Sequence, residues 1–356
     1  MDAARAVATE NGVLIEDVRG ASQIHSKGSH GTPRSGGGLS LSWVEAAYLA
    51  ESNRLSIESK GEPMTLADVL ERGAQSDERF EIRYLAYRDF RERGYVLREE
   101  PATAGIDFTV RARGQGAKSP SKFWIMAVSE RSALSPRDVI DWALRAEGLG
   151  KKPLASVVDE EGDITHYEFA TGLVKSEGHQ KGGAPAAGVL LRDHVLVSGP
   201  DSHALHAAPE SFGKPLRGLL RLSLIEAAYL CDAQRLEVRE PQPGAKRVTA
   251  ARLRALASDE QPDFALRAAT YAAMKGLGLV PKTGFKYGVH FRVYEGTSAG
   301  KHAQFLVHCV EESYKCTWPE LSRAVRLGHG VRKKFAYAVV SKGGEVRFLR
   351  ARWTRP

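Results

Sequence analysis

The sequence predicts an α/β protein built as a tandem duplication of a two-part unit, a small α+β N-terminal part followed by a mixed β-sheet part with helices. Two observations carry that prediction. Residues 41–55 and 222–236 share Glu-Ala-Ala-Tyr-Leu (Glu45–Leu49 and Glu226–Leu230) and then Arg-Leu (Arg54-Leu55 and Arg235-Leu236) at an ungapped offset of 181, which marks an internal repeat. The second half of each unit alternates apolar and polar residues with the period of a strand.

Each unit opens on a short apolar strand, Gly12–Ile15 in the first and Gly188–Leu191 in the second. A serine, Ser42 or Ser223, starts the amphipathic helix that holds the repeated motif, whose residues favour helix. A second amphipathic helix is predicted at about 79–93 and 263–275, each ending near a glycine. Phe80, Arg83, Tyr87, Gly94 and Val96 recur as Phe264, Arg267, Tyr271, Gly278 and Val280. From there the period becomes two. Phe285, Tyr287, Val289, Phe291 and Val293 read as one strand, and Phe305, Val307 and Cys309 as the next. Phe335–Val340 and Val346–Trp353 read as a closing hairpin around Lys342-Gly343-Gly344. In this part only 318–334 reads as helix. Asp107–Val110 and Lys151-Lys152 align with His290–Val293 and Lys333-Lys334, so both copies run full length. The predicted boundaries are 1–174 for the first repeat (parts 11–97 and 98–171), 175–187 for a linker, and 188–356 for the second repeat (parts 188–275 and 276–356).

The formal net charge of +8 is unevenly placed. Residues 276–356 hold 15 Lys and Arg against 5 Asp and Glu, which leaves the preceding 275 residues at about −2. Basic charge confined to one part of a chain is the electrostatic footprint of a polyanion binder. No apolar run nears the roughly 18 residues that span a bilayer, and the N-terminus lacks the basic-then-apolar pattern of a secretory signal. An intracellular, cytoplasmic protein with no membrane contact is expected. Cys231, Cys309 and Cys316 are too few and too irregularly spaced for a zinc site or a disulfide framework. No metal and no cofactor are expected.

The basic segment also holds Tyr294, His302 and Lys333. Cleaving RNA without a metal means activating the ribose 2′-OH, stabilising a phosphorane with extra negative charge, and protonating the departing 5′-oxygen. An imidazole, titrating near neutrality, suits His302 to proton donation. A permanent cation suits Lys333 to the developing charge. Tyr294 is the awkward member: with an unperturbed pKa near ~10 it acts as base only if positive surroundings lower it, and otherwise orients. Singly, each residue has a plainer reading as rim, solvated loop or basic helix end.

The context is what distinguishes them. Pro281–Gly288, running into Val289-His290-Phe291-Arg292-Val293-Tyr294, then Lys301–Val307, then Glu320–Lys334 with Val325-Arg326 and Val331-Arg332-Lys333, together resemble the catalytic domain of the tRNA-splicing endonuclease family. The resemblance implies a nuclease-like sheet in each repeat, with Tyr294 as general base, His302 as general acid and Lys333 as transition-state stabiliser, giving a 2′,3′-cyclic phosphate and a 5′-hydroxyl. It also implies that Arg326 and a second planar residue sandwich a base flipped from the RNA bulge. Trp353, at the end of the final strand, is the candidate for that second residue, with Arg350 and Arg352 as alternatives. Arg326 lies seven residues before Lys333, so a helix persisting through Gly328 and Gly330 would project both from one face. His290 stands where the family commonly has an acidic residue, and its role is left open.

The first repeat has Arg111-Ala112 near the position of Tyr294 and Pro120 near that of His302, and only Lys151 answers Lys333. Its residues 98–171 hold 10 Lys and Arg against 12 Asp and Glu. It is therefore expected to be degenerate and structural. The expected function is a metal-independent endonuclease that cuts precursor tRNA at bulge-helix-bulge splice sites, acting as a homodimer because two cuts need two active copies. In the family, an acidic loop of a structural unit plugs a basic cleft of a catalytic one, and Asp159–Asp163 is the best acidic candidate. A non-catalytic RNA-binding subunit is the alternative. A DNA endonuclease is more remote, since 276–356 contains no Asp and deoxyribose lacks the 2′-OH.

Overall fold

The computed structural model describes residues 3–101, 105–115, 119–176, 184–295 and 302–356. Residues 177–183 of the expected linker, and Lys301, lie outside them. The first repeat runs β1 (Ala4–Thr9), β2 (Gly12–Ile15), α1 (Val18–Ser26), β3 (Thr32–Pro33), β4 (Leu39–Leu41), α2 (Trp43–Glu51), β5 (Leu55–Ser59), β6 (Glu62–Pro63), α3 (Leu66–Ser76) and α4 (Phe80–Glu92). It continues with β7 (Leu97–Glu99), β8 (Phe108–Arg111), β9 (Ser121–Ser129), β10 (Ala133–Leu134), α5 (Pro136–Gly148), β11 (Lys152–Val158) and β12 (Ile164–Thr171). The second repeat writes the same order again. It has β13 (Ala186–Leu190), β14 (His194–Val197), α6 (Pro200–His206), β15 (Lys214–Leu216), β16 (Leu219–Ser223), α7 (Leu224–Asp232), β17 (Leu236–Arg239), β18 (Arg247–Val248), α8 (Ala250–Glu260) and α9 (Phe264–Gly276). Then follow β19 (Leu279–Thr283), β20 (Phe291–Glu295), β21 (Phe305–Glu311), β22 (Cys316–Thr317), α10 (Trp318–Gly330), β23 (Lys334–Val340) and β24 (Val346–Thr354).

The N-terminal part of each repeat is a six-stranded sheet, β3-β4-β2-β1-β5-β6 and β15-β16-β14-β13-β17-β18. The strand expected to open each repeat is β2 in the first, where β1 precedes it, but β13 in the second, so the two are not equivalent and each is one of six. The others are short and broken by turns, and periodicity over two to six residues is too brief to read. Ser42 and Ser223 are N-caps as expected, and each closes a capping box with the glutamate three residues on. The helices they start are not amphipathic in the usual sense. Trp43, Val44, Ala46, Ala47 and Leu49 are all buried in α2, because the sheet and two further helices cover it. Even Glu226 of α7 is buried, accepting from the backbone N–H groups of Gly213 (2.9 Å) and Ser223 (3.0 Å) and from Lys282 (3.1 Å). Burial pushes its carboxyl up, but the Lys282 ammonium and those donors outweigh it and hold it below the usual range.

The second parts of the two repeats form one ten-stranded sheet, β19-β20-β21-β23-β24-β12-β11-β9-β8-β7. The last strands of the repeats, β24 and β12, pair antiparallel at its centre. In that ladder Phe169 faces Ala351, which are equivalent residues of the two repeats, so a local two-fold axis passes between them. β10 and β22 also pair across the repeats, and Trp318 Nε1 donates to Ser132 Oγ at 3.1 Å. One core cluster joins Trp142, Tyr167 and Phe169 of the first repeat to Trp318, Leu321, Tyr337 and Leu349 of the second. Within each repeat's half of this sheet one strand pair is parallel (β9 with β11, β21 with β23) and the rest antiparallel, so the sheet is mixed.

Two sequence expectations are corrected here. Residues 285–293 are not one strand: Phe285–Tyr287 form a 3-10 turn, and β20 begins only at Phe291. Gly288 sits at φ +62, and a Cβ on Gly284 would meet the Val289 carbonyl oxygen at 2.6 Å. These glycines fold the chain into a tight turn in which Phe285 is 87% exposed, and alternation continues only by coincidence. Second, α10 ends at Gly330, before Lys333. Arg332 adopts φ +55 and turns the chain into β23, so Arg326 and Lys333 do not share a helix face.

Candidate active site at the shared end of three strands

Lys333 and Tyr294 flank the entrance to β21. The Gln304 N–H donates to the Val293 carbonyl (2.9 Å) and the Gln304 carbonyl accepts from the Lys334 N–H (2.8 Å). The Glu295 N–H donates to Gln304 Oε1 at 3.1 Å. Tyr294 on β20 and Lys333 before β23 therefore stand one strand either side of Gln304, about 10 Å apart along the backbone at the usual strand spacing. His302, exposed, lies two residues before Gln304 at the same end.

Alternation sets the face. Val293, Phe305 and Ala336 enter the core under α9, whereas Leu306, Phe335 and Tyr337 enter the core under α10. Tyr294 and Lys333 are each one residue out of phase with the first group, so both face the α10 side. The three expected catalytic residues lie at one edge of the sheet on three segments, with Tyr294 and Lys333 on the same face. Arg292, on the same side, puts its guanidinium 5.8 Å from the centre of the Tyr294 ring.

Lys333 is held by the end of α10. Its N–H donates to the Gly328 carbonyl (2.8 Å), its ammonium donates to the Val331 carbonyl (3.1 Å), and that ammonium lies 5.4 Å over the Tyr287 ring. The glycine-bounded turn at 284–288 thus carries the aromatic floor beneath the lysine. Arg292 and Tyr287 were not expected as site residues. The only signal for them in the sequence is that both sit inside the segment ending at Tyr294.

Arg326 and His329 lie on one stripe of α10, three residues apart, and both are exposed. The His329 ring meets the Trp353 ring edge-to-face, with centroids 6.1 Å apart and planes at 79°. Trp353 is 37% exposed, and the Arg355 guanidinium lies 5.0 Å from its ring centre. In the β23–β24 ladder Phe335 pairs with Ala351, so Trp353, two residues on, reaches the level of Lys333. Arg326 and Trp353 are therefore placed at the same edge as Lys333. Arg350 and Arg352 alternate to the other face and are engaged by the first repeat. Arg350 donates to the Thr171 carbonyl (3.2 Å), and Arg352 to Glu168 (2.7 Å).

The same framework in the first repeat carries different side chains. Arg111 ends β8, and Lys151 donates to the Ser121 carbonyl at 2.6 Å. Gly150, at φ +68, takes the place of Arg332, and Leu144 that of Arg326. His290 does a structural job: its Nδ1 accepts from the Cys309 N–H (2.9 Å) and its Nε2 meets Asp263 (2.9 Å). Asp107 does that job in the first repeat, accepting from the Ala127 N–H (2.8 Å) and pairing with Arg79 (2.9 Å), so the polarity of the pair is reversed. Burial lowers the His290 pKa, partly opposed by Asp263. Behind β19 a cleft of about 590 Å³ is lined by Lys214, Arg221, Arg267, Lys282 and Arg292 against Asp193, Glu226 and Glu260, with Glu226 paired to Lys282 and Asp193 to Arg221. Asp159–Asp163 form the β11–β12 turn, closed by the Asp159 N–H to the Asp163 carbonyl (3.0 Å). Among the described residues, no group of three or more His, Cys, Asp or Glu comes together as a metal site requires, and no helix is long and apolar enough to cross a membrane.

Comparison with known proteins matches both halves of both repeats. The family profile "tRNA intron endonuclease, catalytic C-terminal domain" matches residues 80–166 and again 264–348. The profile "tRNA intron endonuclease, N-terminal domain" matches residues 4–70 and again 186–253. The chain is 33% identical to a tRNA-splicing endonuclease of Methanococcoides burtonii, over 96% of this chain and 97% of the relative. It is 34% identical to that of Methanosarcina mazei (94% and 95%) and 33% identical to that of Halobacterium salinarum (89% and 89%).

Proposed function

The chain belongs to the tRNA intron endonuclease family, and from that premise we propose that it excises introns from precursor tRNA at bulge-helix-bulge sites by acid/base chemistry at Tyr294, His302 and Lys333. The observation that carries this reading is the convergence of those three residues on one edge of the second repeat, where the first repeat offers only Lys151. Tyr294, as its phenolate, takes the proton from the ribose 2′-OH and becomes the neutral phenol, with the Arg292 guanidinium 5.8 Å from the ring centre. The 2′-oxygen attacks phosphorus, and Lys333 stabilises the non-bridging oxygens of the phosphorane. His302 protonates the departing 5′-oxygen, leaving a 2′,3′-cyclic phosphate and a 5′-hydroxyl. No step needs a metal or a cofactor. Arg326 and Trp353 hold a bulge nucleotide between guanidinium and indole beside the scissile phosphate.

The active assembly is a homodimer, in which each chain brings one active and one structural repeat. The acidic turn at 159–163 fits the basic cleft behind β19 in charge. Within one chain they cannot meet: β12 and β19 are five strand spacings apart, about 24 Å. A second copy has to supply the turn. Acting on precursor tRNA, the enzyme works in the cytoplasm.

The test is incubation of purified protein with a bulge-helix-bulge RNA in EDTA, followed by analysis of the ends. Cuts at both bulges with cyclic-phosphate ends support the proposal. Binding without cuts would make the chain a non-catalytic RNA-binding subunit.

A further inference from the structure

We propose that His329 is a positioning residue for the nucleotide clamp, fixing the plane of Trp353 so that a base can enter between it and Arg326. The inference rests on the clamp reading above and adds to it a residue that touches neither the scissile phosphate nor the reacting groups.

Three observations meet at His329. It lies in the last turn of α10, one turn after Arg326 on the same stripe, so the same stretch of helix presents both side chains. The turn is rigid where it matters: the His329 carbonyl accepts from the Arg332 N–H (3.0 Å), and the neighbouring Gly328 carbonyl accepts from the Lys333 N–H (2.8 Å). The backbone that sets the catalytic lysine therefore sets His329 as well. The imidazole meets the indole edge-to-face at 6.1 Å, on a strand end where Trp353 is 37% exposed and also lies 5.0 Å from the guanidinium of Arg355.

The first repeat supplies a control. Glu147 and Thr171 occupy the places of His329 and Trp353, and there too the helix turn grips the strand end, with the Thr171 N–H donating to Glu147 at 2.8 Å. Contact between these two places is thus a property of the unit. In the repeat that carries the Tyr, His and Lys it has become a contact between rings, which controls the plane of an aromatic surface as a hydrogen bond to threonine cannot. A preset plane lowers the ordering cost when a base stacks on it.

The experiment compares single-turnover cleavage of a bulge-helix-bulge RNA with that of the same RNA made abasic at the clamped bulge position. The enzymes are wild type, H329A, H329F, R326A, W353A and the double variant H329A/W353A. On the intact RNA H329A should cut about 3- to 10-fold more slowly, the range that loss of an edge-to-face ring contact gives. H329F, which keeps an aromatic edge, should recover most of that loss. On the abasic RNA H329A and wild type should match, and H329A should add nothing to W353A, because residues acting through one contact are not additive. Equal loss on both RNAs, additivity with W353A, or no loss at all would overturn the inference. If R326A and W353A are impaired only on intact RNA while H329A is not, the clamp stands and His329 is excluded from it. If R326A and W353A discriminate between neither RNA, the clamp itself fails, and this inference with it.

Discussion

Removing the two lysines that close α10 and α5 at equivalent places, Lys333→Ala and Lys151→Ala, should have opposite consequences for catalysis and stability. Lys333 offers its ammonium to one carbonyl at 3.1 Å and one ring at 5.4 Å, and it is half-buried at the strand edge that also carries Tyr294 and His302. A unit charge about 4 Å from a phosphorane oxygen, at the effective dielectric constant of ~20 that suits protein sites, is worth about 4 kcal/mol. Solvent access reduces that figure, so the loss in single-turnover cleavage should be roughly 10²- to 10³-fold. RNA affinity should fall only slightly, since one of many phosphate-facing cations is lost. Lys151 donates to the Ser121 carbonyl at 2.6 Å, with no tyrosine or histidine answering Tyr294 and His302. Its removal should cost about 1 kcal/mol of stability and leave cleavage unchanged. Single-turnover kinetics on a two-bulge substrate, with denaturant melts alongside, separate the two effects. The reasoning is refuted if Lys333→Ala cuts within a few-fold of wild type, or if Lys151→Ala loses as much.

Gly328→Ala should stabilise the protein by about 0.5 kcal/mol without loss of activity, because alanine favours helix by about 1 kcal/mol over glycine. The new methyl would lie 3.0 Å from the Lys333 carbonyl oxygen, but Ala146 fills that place in the first repeat with the equivalent bond, Lys151 N–H to the Ala146 carbonyl, at 2.8 Å. A drop of more than about 1 kcal/mol in the denaturant melt would show that the repeats differ in backbone here. The protein should sediment as a dimer of about 78 kDa, twice the 38.8 kDa chain, and reversing the charges of Asp159, Glu160, Glu161 and Asp163 should give monomers that no longer cut. A charge-reversed protein that remains dimeric would remove the acidic turn from the interface. Stability should fall as pH drops from about 6.5 towards 4, with three buried histidines outweighing the opposite contribution of Glu45, which burial raises to about 7, and of Glu99, which burial also raises. Burial lowers the pKa values of His30 (to about 2), His290 and His308 (to about 4), so the unfolded chain takes up their protons first. Their contribution is fully present above the ordinary histidine pKa and is lost on the acid side; a melting temperature flat across that window would contradict it.

Much of the fold was legible because local chemistry repeats. Ser42 and Ser223 mark helix starts since only a side-chain acceptor satisfies those N–H groups, and Phe305–Cys309 and Phe335–Val340 alternate because one face of each strand meets α9 and the other α10. What was not legible depends on close approach and tertiary packing. The Phe285–Val293 stretch keeps strand periodicity while Gly284 and Gly288 fold it into a turn, so pattern and conformation part company there. Arg326 and Lys333 do come to one edge, but by a helix that stops and a left-handed Arg332 rather than by a shared helix face. His329, Arg292 and Tyr287 carry no motif of their own. They matter through rings and charges contributed by other segments, which only the packed chain brings beside them.

The general-acid role of His302 can be separated from binding and folding by the leaving group. In an RNA whose scissile 5′-oxygen is replaced by sulfur, the departing thiolate needs no proton. His302→Ala should cut the ordinary RNA at least ~10²-fold more slowly than wild type, as loss of a general acid implies. On the sulfur-substituted RNA it should cut at close to the wild-type rate. Equal impairment on both RNAs would mean that His302 does not protonate the leaving group, and the acid/base assignment at the shared strand edge would be wrong.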